Sequence, residues 1–161
     1  MQIQFQRLTK ICHQDIITLH THPRVLQHMP LAKGVIFDQV QCLAWIQEKE
    51  QQWQQYGYGP WAFLVNGKFA GWGGLQYEQG DADLALVLHP QYWGLGRNIF
   101  HQIIKMAFMQ MGLESVTILL PPTRTKLKAI GLLGFQFENE TMIDGEKFLK
   151  YRLNRSFFSK K

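Results

Sequence analysis

A chain of 161 residues, 46% hydrophobic and 18% charged, is long enough for one domain with a sizeable core and too apolar for a disordered polymer. No apolar run has the length to span a bilayer, and the N-terminal MQIQFQRLTK lacks the apolar core of a secretion signal, so a single cytoplasmic domain over residues 1–161 is expected. The net charge of +5 suits a polyanion, either a nucleic acid or a phosphorylated cofactor. The last sixteen residues, with Lys147, Lys150, Arg152, Arg155, Lys160 and Lys161 against Glu146, read as a solvated, partly frayed end.

Ile3 to Leu8 alternates apolar and polar residues and predicts a first strand. Residues 13–29 form a helical region interrupted by Pro23, and Pro30 to Val35 a loop. His13, His20, His22 and His28 lack a completing Cys or carboxylate cluster at ligand spacing; they read as surface histidines, and no metal is expected. Asp38 followed by Gln41 resembles a capping box and opens a helix over Gln39–Gln55. The stretch from Tyr56 through Gly59-Pro60 breaks it. Trp61–Val65 and Lys68–Tyr77 are predicted strands joined by Asn66-Gly67, a type I′ turn dipeptide. Gly71, Gly73 and Gly74 within the second of these imply a bulge or a close backbone approach.

After the turn at Gln79–Asp81 comes the stretch around which the chain is organised, LALVLHPQYWGLGRNIFHQIIKMAFMQM. Leu84–Leu88 is continuously apolar and predicts a strand buried on both faces. Pro90 stops it, and Gly94-Leu95-Gly96 makes a turn. Ile99, Phe100, Ile103, Ile104, Ala107, Phe108 and Met111 then recur at helical spacing behind Asn98, the expected N-cap. The start of such a helix presents unpaired N–H groups and partial positive charge, and glycines let the backbone come close, so the turn can cradle phosphate. Ser115–Leu120 is another strand, ended by Pro121-Pro122. Thr125–Leu133 is a short helix, and Phe135–Thr141 with Lys147–Leu153 a last hairpin around Asp144-Gly145. The class is α+β: one parallel crossover from 84 to 120 and an otherwise mostly antiparallel sheet.

This order resembles the GCN5-related N-acetyltransferase (GNAT) superfamily over about residues 4–154. YGYGPWAF (56–63), FAGWGGL (69–75), LALVLHPQYWGLGRN (84–98) and AIGLLGFQFENE (129–140) carry the likeness, which is nearest to the branch of the ribosomal-protein N-terminal acetyltransferases. The family's acetyl-CoA motif, Arg or Gln, two residues, Gly, one residue, Gly or Ala, fits literally with Gln91, Gly94 and Gly96. The flanking HPQYWG aligns better with Trp93, Gly96 and Asn98 at those positions, and that register is adopted; Asn98 departs from the usual small residue.

The resemblance implies acetyl-CoA as co-substrate and a splay between the strand ending at Leu88 and the strand 115–120. Pantetheine would lie in that gap like an added strand, on backbone groups of Leu86 and Leu88. Amides from Trp93, Gly94, Leu95, Gly96, Arg97 and Asn98 would hold the pyrophosphate, with Arg97, Arg124 or Lys128 reaching the outer phosphates. An amide near Leu88 would polarise the thioester carbonyl. Asp83 aligns with a family Glu and is the candidate base, ahead of His89 and Glu78. On the leaving-group side the family usually carries Asn, Ser and often Tyr where this chain has Thr123, Lys126 and Ile130. Thr123 would bond pantetheine, and Lys126 would serve as acid or phosphate contact. Tyr56, Tyr58 and Trp72 are the candidate acceptor-cleft walls, drawn from aromatics that include Trp45, Trp53 and Trp61.

Without an obvious strong base the site suits an α-amine, near pKa ~8, better than a lysine near ~10.4. Cys12 and Cys42 lie off the strands flanking the thioester, so direct attack is expected. A nicotinamide fold fails on Ile99 in place of a third glycine, and a nucleic-acid module on the missing basic–aromatic stripe. A non-catalytic acetyl-CoA sensor remains open, as does monomer against homodimer.

Overall fold

The structure, a computed structural model, describes residues 2–32, 34–123 and 127–159. Its strands are β1 (Ile3–Gln6), β2 (Pro60–Val65), β3 (Lys68–Glu78), β4 (Asp81–Leu88), β5 (Ser115–Leu120), β6 (Gln136–Ile143) and β7 (Glu146–Asn154). They form one sheet in the order β1-β2-β3-β4-β5-β7-β6, with β4–β5 parallel and the other pairs antiparallel. The helices are α1 (His13–His20), α2 (Pro23–Leu26), α3 (Gln39–Tyr56), α4 (Gly96–Met109), α5 (Leu127–Leu132) and α6 (Arg155–Ser159).

Two apolar layers flank the sheet. On one face Ile99, Phe100, Ile103, Ile104, Ala107 and Phe108 of α4 pack on Leu84 and Leu88 of β4 and Val116, Ile118 and Leu120 of β5. On the other, Ile16 and Leu19 of α1 and Cys42 and Ile46 of α3 pack on Ala62 and Trp72. The helical periodicity of α4 is what lets one stripe cover both central strands.

Local signals behave as their chemistry requires. The Asp38 carboxylate accepts from the Gln41 N–H at 2.9 Å, and Gly57 closes α3 at φ 75°. Asn66-Gly67 turns with φ 50° and 84°. Gly71 has no room for a side chain: a Cβ there would lie 2.1 Å from the Val87 carbonyl oxygen. The close approach expected from the glycines of β3 is therefore between β3 and β4.

Three expectations change. The first strand ends at Gln6, because Leu8–Lys10 tightens into a 3-10 turn that buries Leu8. Asn98 does not cap α4; a 3-10 helix over Pro90–Leu95 runs directly into it, Gly96 is already α-helical (φ −56°, ψ −44°), and Leu95 takes the cap position. Asn98 instead sits in the first turn, where its side chain bonds Gln102. The C-terminal segment is not frayed over Arg155–Ser159: α6 brings the Phe158 ring to 5.5 Å from Phe108.

Candidate active site

β4 and β5 meet at one point and then part. Among the described residues their registered pair is Asp83–Thr117; from there to Leu88 and Leu120 no further pair forms. The register on the other side of β4 says what faces the opening. Leu88 pairs with Gly71, and the His89 N–H donates to the Ala70 carbonyl at 2.8 Å. In an antiparallel ladder this makes Leu88–Gly71 a non-hydrogen-bonded pair, so the N–H and C=O of Leu88 turn away from β3. The two-residue alternation turns those of Leu86 the same way. Both residues named from the sequence thus line the gap with backbone groups, as an inserted extended chain requires. The Leu88 carbonyl already accepts from the Trp93 indole N–H at 2.9 Å, which leaves its N–H as the group on offer.

The turn beyond Leu88 lies over this gap. A Cβ built on Gly96 would approach only Leu86 and Leu88, at 3.7 and 3.9 Å, and one on Gly94 would meet nothing within 4 Å. Neither glycine is among the positive-φ residues. The fold therefore does not need glycine at either position, unlike Gly71, and both leave open space beside the backbone of the turn. The Gly96 N–H donates to the Trp93 carbonyl, and Arg97 and Asn98 follow it in the first turn of α4, where the helix dipole favours an anion. Trp93 is 40% exposed, with the Arg24 guanidinium 4.8 Å above its ring. Arg24 is a cation at this turn that no local pattern in the chain singles out. Thr123 is exposed just past the end of β5. Arg124 and Lys126 lie outside the described residues, and so does the side chain of Lys128.

Asp83 sits where the gap closes, and it is 8% exposed. Its carboxylate accepts from the Thr117 hydroxyl at 2.8 Å. Burial pushes its pKa from 3.8 to about 7; the Thr117 hydrogen bond and Lys150 oppose the rise, and Glu78 and Asp81 add to it. A carboxyl poised near neutrality is one that can exchange a proton under working conditions. Strand alternation directs Asp83 and Thr117 to the face opposite α4, together with half-buried Ala85 and Val87. Next along this face, the Asp81 carboxylate accepts from Lys150 at 2.6 Å and from Arg152 at 3.0 and 3.1 Å, and Glu138 takes Arg152 at 2.7 and 2.9 Å.

Of the other candidates, Glu78 is half-buried and its pKa is raised by burial and by Asp144. His89 caps the 3-10 helix by accepting from the Gln91 N–H at 3.2 Å; burial and His22 lower its pKa. Tyr56 stacks flat on Tyr77 at 4.3 Å, with Tyr58 5.9 Å away, an aromatic group near the Asp81 end of β4. Trp72 is a core residue, 4% exposed, and its indole N–H donates to His20 Nε2 at 2.9 Å. It thus stands behind a cleft, not as a bare wall of one. His20 is correspondingly not a surface histidine: Phe37, Trp45 and Trp72 surround it, and burial drops its pKa to about 4. Ile130, where many relatives carry Tyr, is buried in the α4-side core.

The sequence profile described as "Acetyltransferase (GNAT) domain" matches residues 6–135. The chain belongs to the GNAT acetyltransferase family. Its fold is shared with solved members at low identity. A GNAT-family acetyltransferase from Chromobacterium violaceum is 14% identical with a TM-score of 0.78, over 99% of this chain and 91% of that one. A GnaT-family acetyltransferase from Bordetella pertussis is 15% identical with a TM-score of 0.74, over 95% and 99%. Spermidine N-acetyltransferase from Vibrio cholerae, solved with CoA and spermine, is 12% identical with a TM-score of 0.70, over 96% of each chain. GNAT acetyltransferases take their acetyl group from acetyl-CoA. The splayed β4–β5 pair and the open turn of this GNAT chain fit that molecule's extended arm and its diphosphate. Among the described residues, no helix is long and apolar enough to cross a membrane.

Proposed function

We propose that this GNAT chain is an N-acetyltransferase that passes the acetyl group directly to a primary amine, with Asp83 as the proton acceptor. The observation that carries the reading is a buried carboxyl, poised near neutrality, at the point where β4 and β5 part. Acetyl-CoA supplies an activated thioester. The protein's part is to hold its arm on Leu86 and Leu88, its diphosphate at the first turn of α4 beside Arg97 and Asn98, and its carbonyl against a backbone N–H as negative charge develops.

Strand geometry moves that last group away from Leu88. Asp83 lies five residues before Leu88, roughly 16 Å along an extended strand, beyond the reach of one bridging water. An arm running back from the turn towards the vertex brings the carbonyl to the gap-facing N–H of Leu86. The acceptor nitrogen then bonds to the carbonyl carbon and its proton passes to Asp83 through a chain of waters, since Leu86 still lies roughly 10 Å from it along the strand. The C–S bond breaks and the sulfur leaves as thiolate, a tolerable leaving group near pKa ~8.5 even without an acid at Ile130. Thr123, exposed just past the end of β5, would bond the arm at the mouth. Cys12 lies before α1 and Cys42 in α3, so neither supplies a nucleophile to the gap.

The acceptor is a protein N-terminal α-amine or a small-molecule amine, with Tyr56 and Tyr58 bordering its approach and the reaction in the cytoplasm. A modestly basic carboxylate favours an α-amine, which is roughly a tenth neutral at pH 7. The carboxylates Glu78, Asp81 and Glu138 beside Asp83, and the polyamine ligand of the Vibrio cholerae relative, keep spermidine in the panel. A mass-spectrometric screen of peptides, amino acids and polyamines with acetyl-CoA tests this: acetyl-amine products support it. The second reading, a non-catalytic acetyl-CoA sensor, is favoured by the buried Ile130; it would show tight binding by calorimetry and no product from any amine.

A further inference from the structure

Thr117 is 1% exposed in the middle of β5, a strand whose other buried residues are aliphatic. A hydroxyl there needs a partner, and it has one in the Asp83 carboxylate at 2.8 Å. The two residues are also the registered β4–β5 pair, so the backbone fixes both ends of the bond. The remaining charged groups on this face are engaged elsewhere. Arg152 stands opposite Thr117 on β7, but its guanidinium is held by Asp81, Glu138 and Ser115. Lys150 is bound to Asp81, and Lys49 of α3 bonds Gln76 of β3, the residue registered with Asp83. Glu78 and Asp81 repel the Asp83 charge. The Thr117 hydroxyl is therefore the hydrogen bond that the described residues give to this carboxylate.

We propose that Thr117 is a positioning residue: its hydroxyl aims the Asp83 carboxylate at the vertex of the gap and keeps the ionised form available to the acceptor amine. The inference rests on Asp83 being the base. A hydrogen bond to the charged form favours it, so the hydroxyl works against burial and against Glu78 and Asp81. Thr117→Val removes the hydroxyl at nearly constant shape; Thr117→Ser keeps it.

The test titrates Asp83 directly, by NMR on protein carrying 13C-carboxyl aspartate, with the resonance assigned by its loss in Asp83→Asn. Thr117→Val is expected to raise the midpoint by about 1 pH unit or more, and Thr117→Ser to leave it near the parent. Transfer from acetyl-CoA to spermidine and to an alanine-starting tetrapeptide is followed in parallel. The acid limb of kcat/KM for whichever amine turns over should move by the same amount in Thr117→Val. That costs roughly fivefold at pH 7, is recovered above pH 9, and leaves the KM for acetyl-CoA unchanged. A midpoint that stays put in Thr117→Val overturns the proposal outright. A midpoint that moves while the kinetic limb stays shows that Asp83 is not the base, and the positioning role falls with that reading.

Discussion

Asp83→Asn should make this GNAT chain more stable and less active at once, and the pH dependence of the gain is set by the structure. In the unfolded chain the carboxyl ionises near 3.8; in the folded chain burial holds it protonated to about 7. Because the native pKa is the higher, the folded state is favoured by protonation. The stabilisation associated with the neutral acid is complete below pH ~4, drains away as pH rises towards 7, and is gone above that. The interval is about 3 pH units, and at 1.36 kcal/mol per unit the ionised group costs ~4 kcal/mol at pH 8. Asparagine carries no charge and still accepts from Thr117. The variant should therefore gain up to ~4 kcal/mol over the parent at pH 8, roughly 10 °C in Tm for a chain of this size, and the gain should shrink to near zero at pH 4. Urea denaturation across pH 4–9 measures it. A gain independent of pH, or a loss at pH 8, would refute the claim that Asp83 is a buried acid held against its own ionisation. Acetyl transfer should fall at least ~100-fold, the ordinary contribution of a positioned base.

The turn makes a separable claim. Gly96→Ala should leave stability unchanged or raise it by up to ~1 kcal/mol, since the position is helical and has room for a methyl, while weakening CoA binding at least tenfold by calorimetry. Gly71→Ala should do the opposite, destabilising the protein by roughly 3 kcal/mol or more in the same urea assay, because its Cβ would drive into the Val87 carbonyl. Trp93→Phe removes the N–H bound to the Leu88 carbonyl and should cost ~1 kcal/mol; the tryptophan fluorescence change on adding CoA should vanish with it. Replacing Cys12 with Ser and Cys42 with Ala should leave turnover within about twofold once folding is corrected for, and an acetylated cysteine competent in transfer would overturn direct attack.

Much of this architecture could be read along the chain because its determinants are local. The Asp38–Gln41 cap, the Asn66-Gly67 turn and the α4 stripe each depend on residues a few positions apart, and each appears where the spacing puts it. The order of elements then led to the family and so to acetyl-CoA. What the chain order could not show was the partner of each polar side chain. His20 counts as a surface residue until Trp72, 52 positions away, claims its Nε2. Trp72 counts as a cleft wall until the same bond turns it inward. Asn98 is the better capping side chain, yet the 3-10 helix that precedes α4 starts the helical backbone before Asn98 is reached.

The site divides along the same line. Sequence alone determined that a buried strand runs into a glycine turn and an amphipathic helix, because those are matters of hydrophobic period and backbone freedom within one stretch. Only the tertiary structure decided that Asp83–Thr117 is the point where β4 and β5 part, that Gly94 and Gly96 are open where the fold does not require them to be, and that Asp83 is buried with its ionisation pushed to about 7. Those properties come from desolvation and register between segments more than thirty residues apart, as in the Thr117–Asp83 bond, and neither can be read from the spacing within one segment.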